Sequence, residues 1–163
     1  ENQSLFQNIE IEKKFGDSLP PVHADIQQLN HLFMNIILNA AQAMDGKGEL
    51  RLETARVPGK EQISIKISDT GPGIPEDIIP HIFDPFYTTK EPGKGTGLGL
   101  SVSFMIVQGF GGKMTVNSQM GEGTSMAILL PVIESKGDAV KKKDSSETPA
   151  PLATDSDERP FEP

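Results

Sequence analysis

Two hydrophobic periods follow one another along this chain, and their order limits what it can fold into. From Asp25 to Met44 the residues Leu29, Leu32, Phe33, Ile36, Ile37, Ala40 and Met44 recur at helical spacing. Asp25 is placed to cap the start of that helix and Gly46 to stop it. The period then switches to two. Leu50, Leu52 and Thr54 alternate, as do Ile63, Ile65 and Ile67, so two strands are expected to form a hairpin around Pro58-Gly59. Gly71-Pro72-Gly73 ends the second strand, and Pro75 suits the first turn of a short helix. Residues 84–97 are poor in aliphatic side chains and rich in Gly, Thr and Lys, which marks a long loop. Leu98 to Phe110 reads as a helix closed by Gly111-Gly112. Met114 and Val116 form one more strand and Met126, Ile128 and Leu130 another, about the turn Gly121-Glu122-Gly123. Upstream, Ile9, Ile11 and Phe15 share a parity with Lys13, which predicts a strand with one exception on its inner face. No internal repeat is present.

At 163 residues the chain suits a single domain able to bury a proper core. Its formal charge of −8 argues weakly against general nucleic-acid binding, although local lysines and backbone N–H groups can still hold an anionic nucleotide. There is no cysteine, so thiol and disulfide chemistry are excluded; this fits the cytoplasm. No apolar run approaches membrane-span length and no signal peptide is visible, so no direct membrane contact is expected. The opening at Glu1 without Met suggests a piece of a longer protein, whose other parts could include a membrane anchor. The expected organisation is a domain over 1–133 and a polar, disordered linker or tail over 134–163, with Lys141, Lys142 and Lys143 simply solvated.

Three segments carry candidate chemistry. On the first helix Asn35, Asn39 and Gln42 stand at i, i+4 and i+7, one stripe apart from the apolar face. Amide oxygens can complete the shell of a hard cation such as Mg2+. The same stripe is equally a row of exposed amides, but two asparagines inside an apolar run cost helix propensity and call for compensation. At the end of the second hairpin strand, parity sends Asp69 inward with Ile63, Ile65 and Ile67. An inward carboxylate can accept the exocyclic amine of adenine, and Gly71 and Gly73 would let a ligand approach the backbone. It can equally cap its own Asp-Thr-Gly turn. Lastly, Gly95-Thr96-Gly97-Leu98-Gly99-Leu100-Ser101 runs straight into a helix, whose free N–H groups suit phosphate, with Lys90 and Lys94 just upstream. The dinucleotide fingerprint fails at Leu100, and no P-loop pattern occurs.

Together these segments resemble the GHKL (Bergerat-fold) ATPase family, and within it the catalytic domain of sensor histidine kinases. Leu32 to Met44 is similar to the N box, Asp69-Thr70-Gly71-Pro72-Gly73-Ile74 to the G1 box, and Ile82 to Lys90 to the F box and lid. Gly95 to Ser101 is similar to the G2 box and Gly121-Glu122-Gly123-Thr124 to the last glycine motif. The match covers residues 8 to 132 in the family's order. The Asn-Ala-Ala-Gln-Ala-Met stretch resembles the nitrogen-regulation-like kinases.

The resemblance implies an α/β fold of two layers, an α+β sandwich: a mixed, mostly antiparallel sheet covered on one face by about three helices. It implies ATP and Mg2+ as cofactors. Asn39 would hold the metal, with Asn35 beside it near the phosphates and Gln42 on the same stripe. Asp69 would hold the adenine amine, Gly73 would let the base lie close, Ile74 would pack on it, and Thr124 would act through a water. Lys90 and the amides of Gly95, Thr96, Gly97, Leu98, Gly99 and Leu100 would handle the triphosphate. Phe83 and Phe86 would anchor the lid.

Hydrolysing members of the family resemble one another in a Glu four residues before the metal asparagine, acting as a base on water. Asn35 stands there, which favours phosphoryl transfer. Many histidine kinases have a basic residue where this chain has Gln42, so charge compensation should come from the lid. The implied acceptor is a histidine on a separate dimerising hairpin, and after it the aspartate of a response-regulator receiver domain. His23, His31 and His81 do not sit in the acceptor motif. A hydrolysing module, a non-catalytic nucleotide-binding module and a kinase for a protein serine are the other readings of the same fold.

Overall fold

Asp25 begins the first helix as expected. Its side chain accepts a hydrogen bond of 2.9 Å from the N–H of Gln28, and helix α1 runs Ile26–Ala43. At the far end Gly46 takes φ +72° and its N–H bonds Ala41 O at 3.1 Å, closing the last turn. The computed structural model describes residues 5–90 and 95–133. The expectations for the 134–163 tail and for Lys94 lie outside the described residues.

Five strands form one sheet: β1 (Asn8–Phe15), β2 (Lys47–Arg56), β3 (Gln62–Asp69), β4 (Lys113–Gln119) and β5 (Gly123–Pro131), in the spatial order β1-β2-β3-β5-β4. β1 pairs with β2 in parallel, and every other pair is antiparallel. The expected β2–β3 and β4–β5 hairpins both form. Helix α2 (Gly99–Gly109) packs beside α1, and both lie against the sheet. This is the two-layer α/β arrangement with a mixed, mostly antiparallel sheet.

The register explains the core. Leu52, Ile67, Met126 and Val116 stand abreast across four strands, and Thr54, Ile65, Ile128 and Met114 form the next row. These rows face the helices, where Leu32, Leu50, Val107, Ile128 and Leu130 are almost wholly buried. The opposite face carries polar and charged side chains, such as the abreast set Lys14, Glu53 and Lys66. One row nearer the sheet's end, Leu50, Asp69, Thr124 and Ser118 stand abreast on the helix side. The two-residue period that builds the core therefore also delivers a carboxyl and two hydroxyls to the same face.

Two expectations need correction. Only two α-helices form among the described residues, where about three were expected. The segment after Pro75 makes turns and a single 3-10 turn, Ile79–His81, because Pro80 has no N–H to extend a helix. In β1, only Ile9 of the expected inner face is buried. Ile11 and Phe15 are exposed, because β1 is the sheet's edge and lies beyond the helix layer. No described helix is long and apolar enough to cross a membrane.

Candidate functional site

A cavity of about 750 Å3 opens between α1, the ends of β3 and β5, and the segment leading into α2. One end is polar and built by the two helices. Asn35 and Asn39 are half-buried and face α2, so their stripe borders the core where sequence placed it well away. Asn35 Nδ2 donates to Gly99 O at 3.2 Å and to Ser103 Oγ at 3.4 Å. Asn39 Oδ1 accepts from Lys90 Nζ at 3.2 Å, and Gln42 Oε1 accepts from the same ammonium. These bonds are the compensation that two asparagines in an apolar helix require. Burial pushes the Lys90 ammonium below its ordinary range.

The start of α2 forms the wall opposite α1. Its N-cap, Leu98, makes no side-chain capping bond, and among the described residues no side chain accepts from the leading N–H groups of α2. Gly99 lies beside the amide stripe, where a Cβ would make only ordinary van der Waals contact. A Cβ there would sit 3.7 Å from Asn35 Cγ and 3.9 Å from Asn39 Nδ2, in the space between helix start and amide stripe.

The other end is built by the sheet. Asp69 is half-buried; its Oδ1 accepts from the N–H of Gly71 at 2.9 Å. Asp69 thus caps its own turn, as one sequence reading had it, and it also lines the cavity. Burial raises its pKa above the ordinary value, while hydrogen bonds from the backbone at Gly71 and Thr124 pull it the other way. Thr124 Oγ1 is 2.9 Å from Ser118 Oγ, which also takes the Ile74 N–H at 2.8 Å and lies 2.9 Å from Gly123 O. This network ties the loop after β3 to the β4–β5 hairpin.

Of the expected site residues, Asn35, Asn39, Gln42, Asp69, Gly73, Ile74, Lys90, Gly95, Thr96, Gly97, Gly99, Leu100 and Thr124 all line this one cavity. Gly71 and Leu98 do not. Gly71 packs under Asp69 and against Ala43, and Leu98 is turned outward. Gly73 has a further reason that sequence did not suggest. It sits at φ +78°, and a Cβ would meet Gln119 O at 2.2 Å, so the neighbouring hairpin demands the glycine.

The lid anchors divide. Phe83 stacks on Phe104 with centroids 5.1 Å apart, as an anchor should. Phe86 is 75% exposed at φ +67°; its backbone, not its ring, is held, through N–H to Gly97 O at 2.9 Å. The sequence reading missed the apolar floor of Ile67, Ile78, Ile82 and Met126, and missed Ser118 and Ser103. Parity could have found Met126, two residues from Thr124, and Ile67, two from Asp69. Nothing local marks Ser103.

Among the described residues no cluster of His, Cys, Asp or Glu could hold a metal. The amide oxygens of Asn39 and Gln42 already hold a cation, the Lys90 ammonium, so this donor set suits a hard ion that takes its remaining ligands from water and phosphate.

Residues 24–134 match the family described as histidine kinase-, DNA gyrase B-, and HSP90-like ATPase. The chain is 38% identical over 144 residues to sensor kinase CckA of Brucella abortus (strain 2308), covering 80% of this chain and 15% of that protein. It is 41% identical over 145 residues to sensory histidine kinase/phosphatase NtrB of Rhizobium meliloti (strain 1021), covering 80% of this chain and 37% of that one. The chain thus spans well under half the length of these relatives. Among solved structures, the catalytic domain of histidine kinase ThkA superposes with TM-score 0.67 at 28% identity, over 77% of this chain and 81% of that one. Full-length ShkA in complex with AMPPNP gives 0.70 at 26% identity, over 82% and 28%. With a cavity framed by all the motif segments and this set of relatives, the chain belongs to the family of histidine kinase-, DNA gyrase B- and HSP90-like ATPases, and within it to the domains of sensor histidine kinases.

Proposed function

We propose that this chain seats Mg-ATP and presents its γ-phosphoryl group to a histidine on a dimerising helical domain of the parent protein. The observation that carries the proposal is one cavity with Asp69 at its sheet end and the Asn35, Asn39 and Gln42 amides at its helix end. Asp69 accepts the adenine amine, where guanine would oppose a carbonyl oxygen to it. Thr124, held by Ser118, supports the base through water, and the Ile74, Ile78 and Met126 side chains pack on it. The triphosphate lies toward the leading N–H groups of α2, which the N-cap side chain leaves uncapped. Asn39 would hold Mg2+, which when bound neutralises charge on the phosphates. Lys90 then leaves the Asn39 and Gln42 oxygens for the phosphate oxygens, supplying the positive charge that Gln42 lacks.

The acceptor imidazole nitrogen attacks the γ-phosphorus, a P–N bond forms, and the bond to the bridging oxygen breaks to release ADP. Transfer is favoured over hydrolysis because Asp69 is the sole carboxylate lining the cavity among the described residues. It stands at the sheet end, so no described carboxylate is placed to activate water at the phosphates. A receiver-domain aspartate would take the phosphoryl group next.

The test is calorimetric titration of the chain with ATP and GTP, and incubation with γ-labelled ATP and a separately produced histidine-bearing hairpin. ATP should bind with Mg2+ and GTP should bind at least about tenfold more weakly, as expected for a charged hydrogen bond. Asp69→Asn should lose about ten- to a hundredfold in ATP affinity, and label should appear on the hairpin. Equal binding of GTP, or label released only as phosphate, would sink the proposal.

A further inference from the structure

We infer that Ser103 is a positioning residue: its buried hydroxyl sets which end of the Asn35 amide faces the cavity, turning Oδ1 toward the metal and phosphates. This rests on the Mg-ATP reading above and adds a residue to it.

Ser103 lies in the middle of α2 and is wholly buried. A hydroxyl there is costly unless it is partnered. Its proton goes to Gly99 O, one turn back, at 2.8 Å. What remains on its oxygen can only accept. Asn35 Nδ2 stands 3.4 Å from that oxygen and 3.2 Å from Gly99 O. Two acceptors therefore converge on one end of one amide.

An asparagine amide has two ends of nearly the same shape, and only hydrogen bonding decides between them. Were Asn35 reversed, its Oδ1 would confront a carbonyl oxygen and a hydroxyl oxygen whose proton is already committed. The NH2 must face α2, and the oxygen is left for the cavity that Asn35 lines. For a site that holds a hard cation the difference is decisive. An amide oxygen ligates or accepts from metal-bound water, whereas an NH2 repels the ion. Asn39 has the same polarity: its Oδ1 takes the Lys90 ammonium and its Nδ2 lies toward Gly99. The two amides thus present oxygen to the same kind of charge.

The competing account is that Ser103 merely bonds back to its own helix, which serines in helices do without further purpose. The two accounts differ in what Ser103→Ala does. Alanine is the smaller side chain and the better helix former, so this variant keeps the fold.

The experiment measures binding of AMPPNP to the chain by calorimetry, once with excess Mg2+ and once in EDTA, for wild type, Ser103→Ala, Asn35→Ala and the double variant. The Asn35 side-chain NH2 signals are followed by NMR hydrogen exchange in parallel. Ser103→Ala should keep the EDTA affinity within about twofold and lose about tenfold of the Mg2+-dependent gain, the lower end of what outer-shell partners of a metal ligand contribute. Its Asn35 NH2 protons should exchange faster. In the Asn35→Ala background the serine change should add nothing. A Ser103→Ala variant with the full Mg2+-dependent gain, or with equal losses with and without metal, would overturn the inference and leave the Mg-ATP reading standing. Wild-type binding indifferent to Mg2+ would remove that reading, and the inference with it.

Discussion

Asp69 shows how one side chain lines the cavity at the fold's expense. Burial raises its pKa, so the folded chain without nucleotide ionises it less readily than the unfolded chain does. The sign follows: this carboxyl favours folding below its unfolded pKa, and that contribution is lost as pH rises through the raised folded value. Asn in its place keeps an oxygen for the Gly71 N–H and has nothing to ionise. Asp69→Asn is therefore expected to unfold, without nucleotide at pH 7, at or above the wild-type temperature while binding ATP poorly. The gap in unfolding temperature should close as pH falls into the ordinary carboxylate range. Differential scanning calorimetry across that range checks it, and a variant that melts clearly below wild type at pH 7 would refute the sign. The inward turn of Asp69 was legible because strand parity is local. The reason for Gly73 was not, because Gln119, which would clash with a Cβ, is 46 residues away and reaches it only through the strand order.

Among the elements, β1 contrasts with the helices. Its edge position leaves Ile11 and Phe15 exposed, so apart from buried Ile9 its attachment to β2 depends on backbone pairing and on a charged cluster. Glu12 accepts from Lys14 and from Arg51, and these bonds hold its pKa at about 2. The sign is opposite to that of Asp69. The contribution is present above the ordinary carboxylate range and is lost as pH falls through about 2. The pair is solvent-exposed, so the effect is small and screened. Glu12→Gln should lower the urea midpoint slightly at pH 7, and the difference should shrink by at least about half in 1 M salt. A salt-independent difference would mean that packing, not charge, joins these strands. Helix α1 was legible from its period and its cap. That β1 would be an edge was not, since its alternation looks the same in a central strand, and the Lys13 exception was the one local clue.

For the whole molecule, local periods and five motif segments were enough to expect a sheet under helices and a cavity between them. What they could not supply was long-range partnership: Asn35 with Gly99 and Ser103, Lys90 with Asn39 and Gln42, Phe86 turned to solvent. That partnership decides whether this fold could be made to hydrolyse ATP by placing at Asn35 the glutamate that the family resemblance implies for hydrolysing members. Glutamate is one methylene longer and, ionised, only accepts. In place of the Asn35 NH2 it would set a carboxylate against Gly99 O and Ser103 Oγ, at the contact that joins α1 to α2. Asn35→Glu is therefore expected to lose stability on the order of 1–3 kcal/mol, the cost of an unsatisfied buried polar group, and to bind ATP less well without a rise in phosphate release. Thermal unfolding and a phosphate-release assay on the same preparation decide it. A variant that melts with wild type and hydrolyses faster would show that the helix contact tolerates a carboxylate, and that a base is all this cavity lacks for hydrolysis.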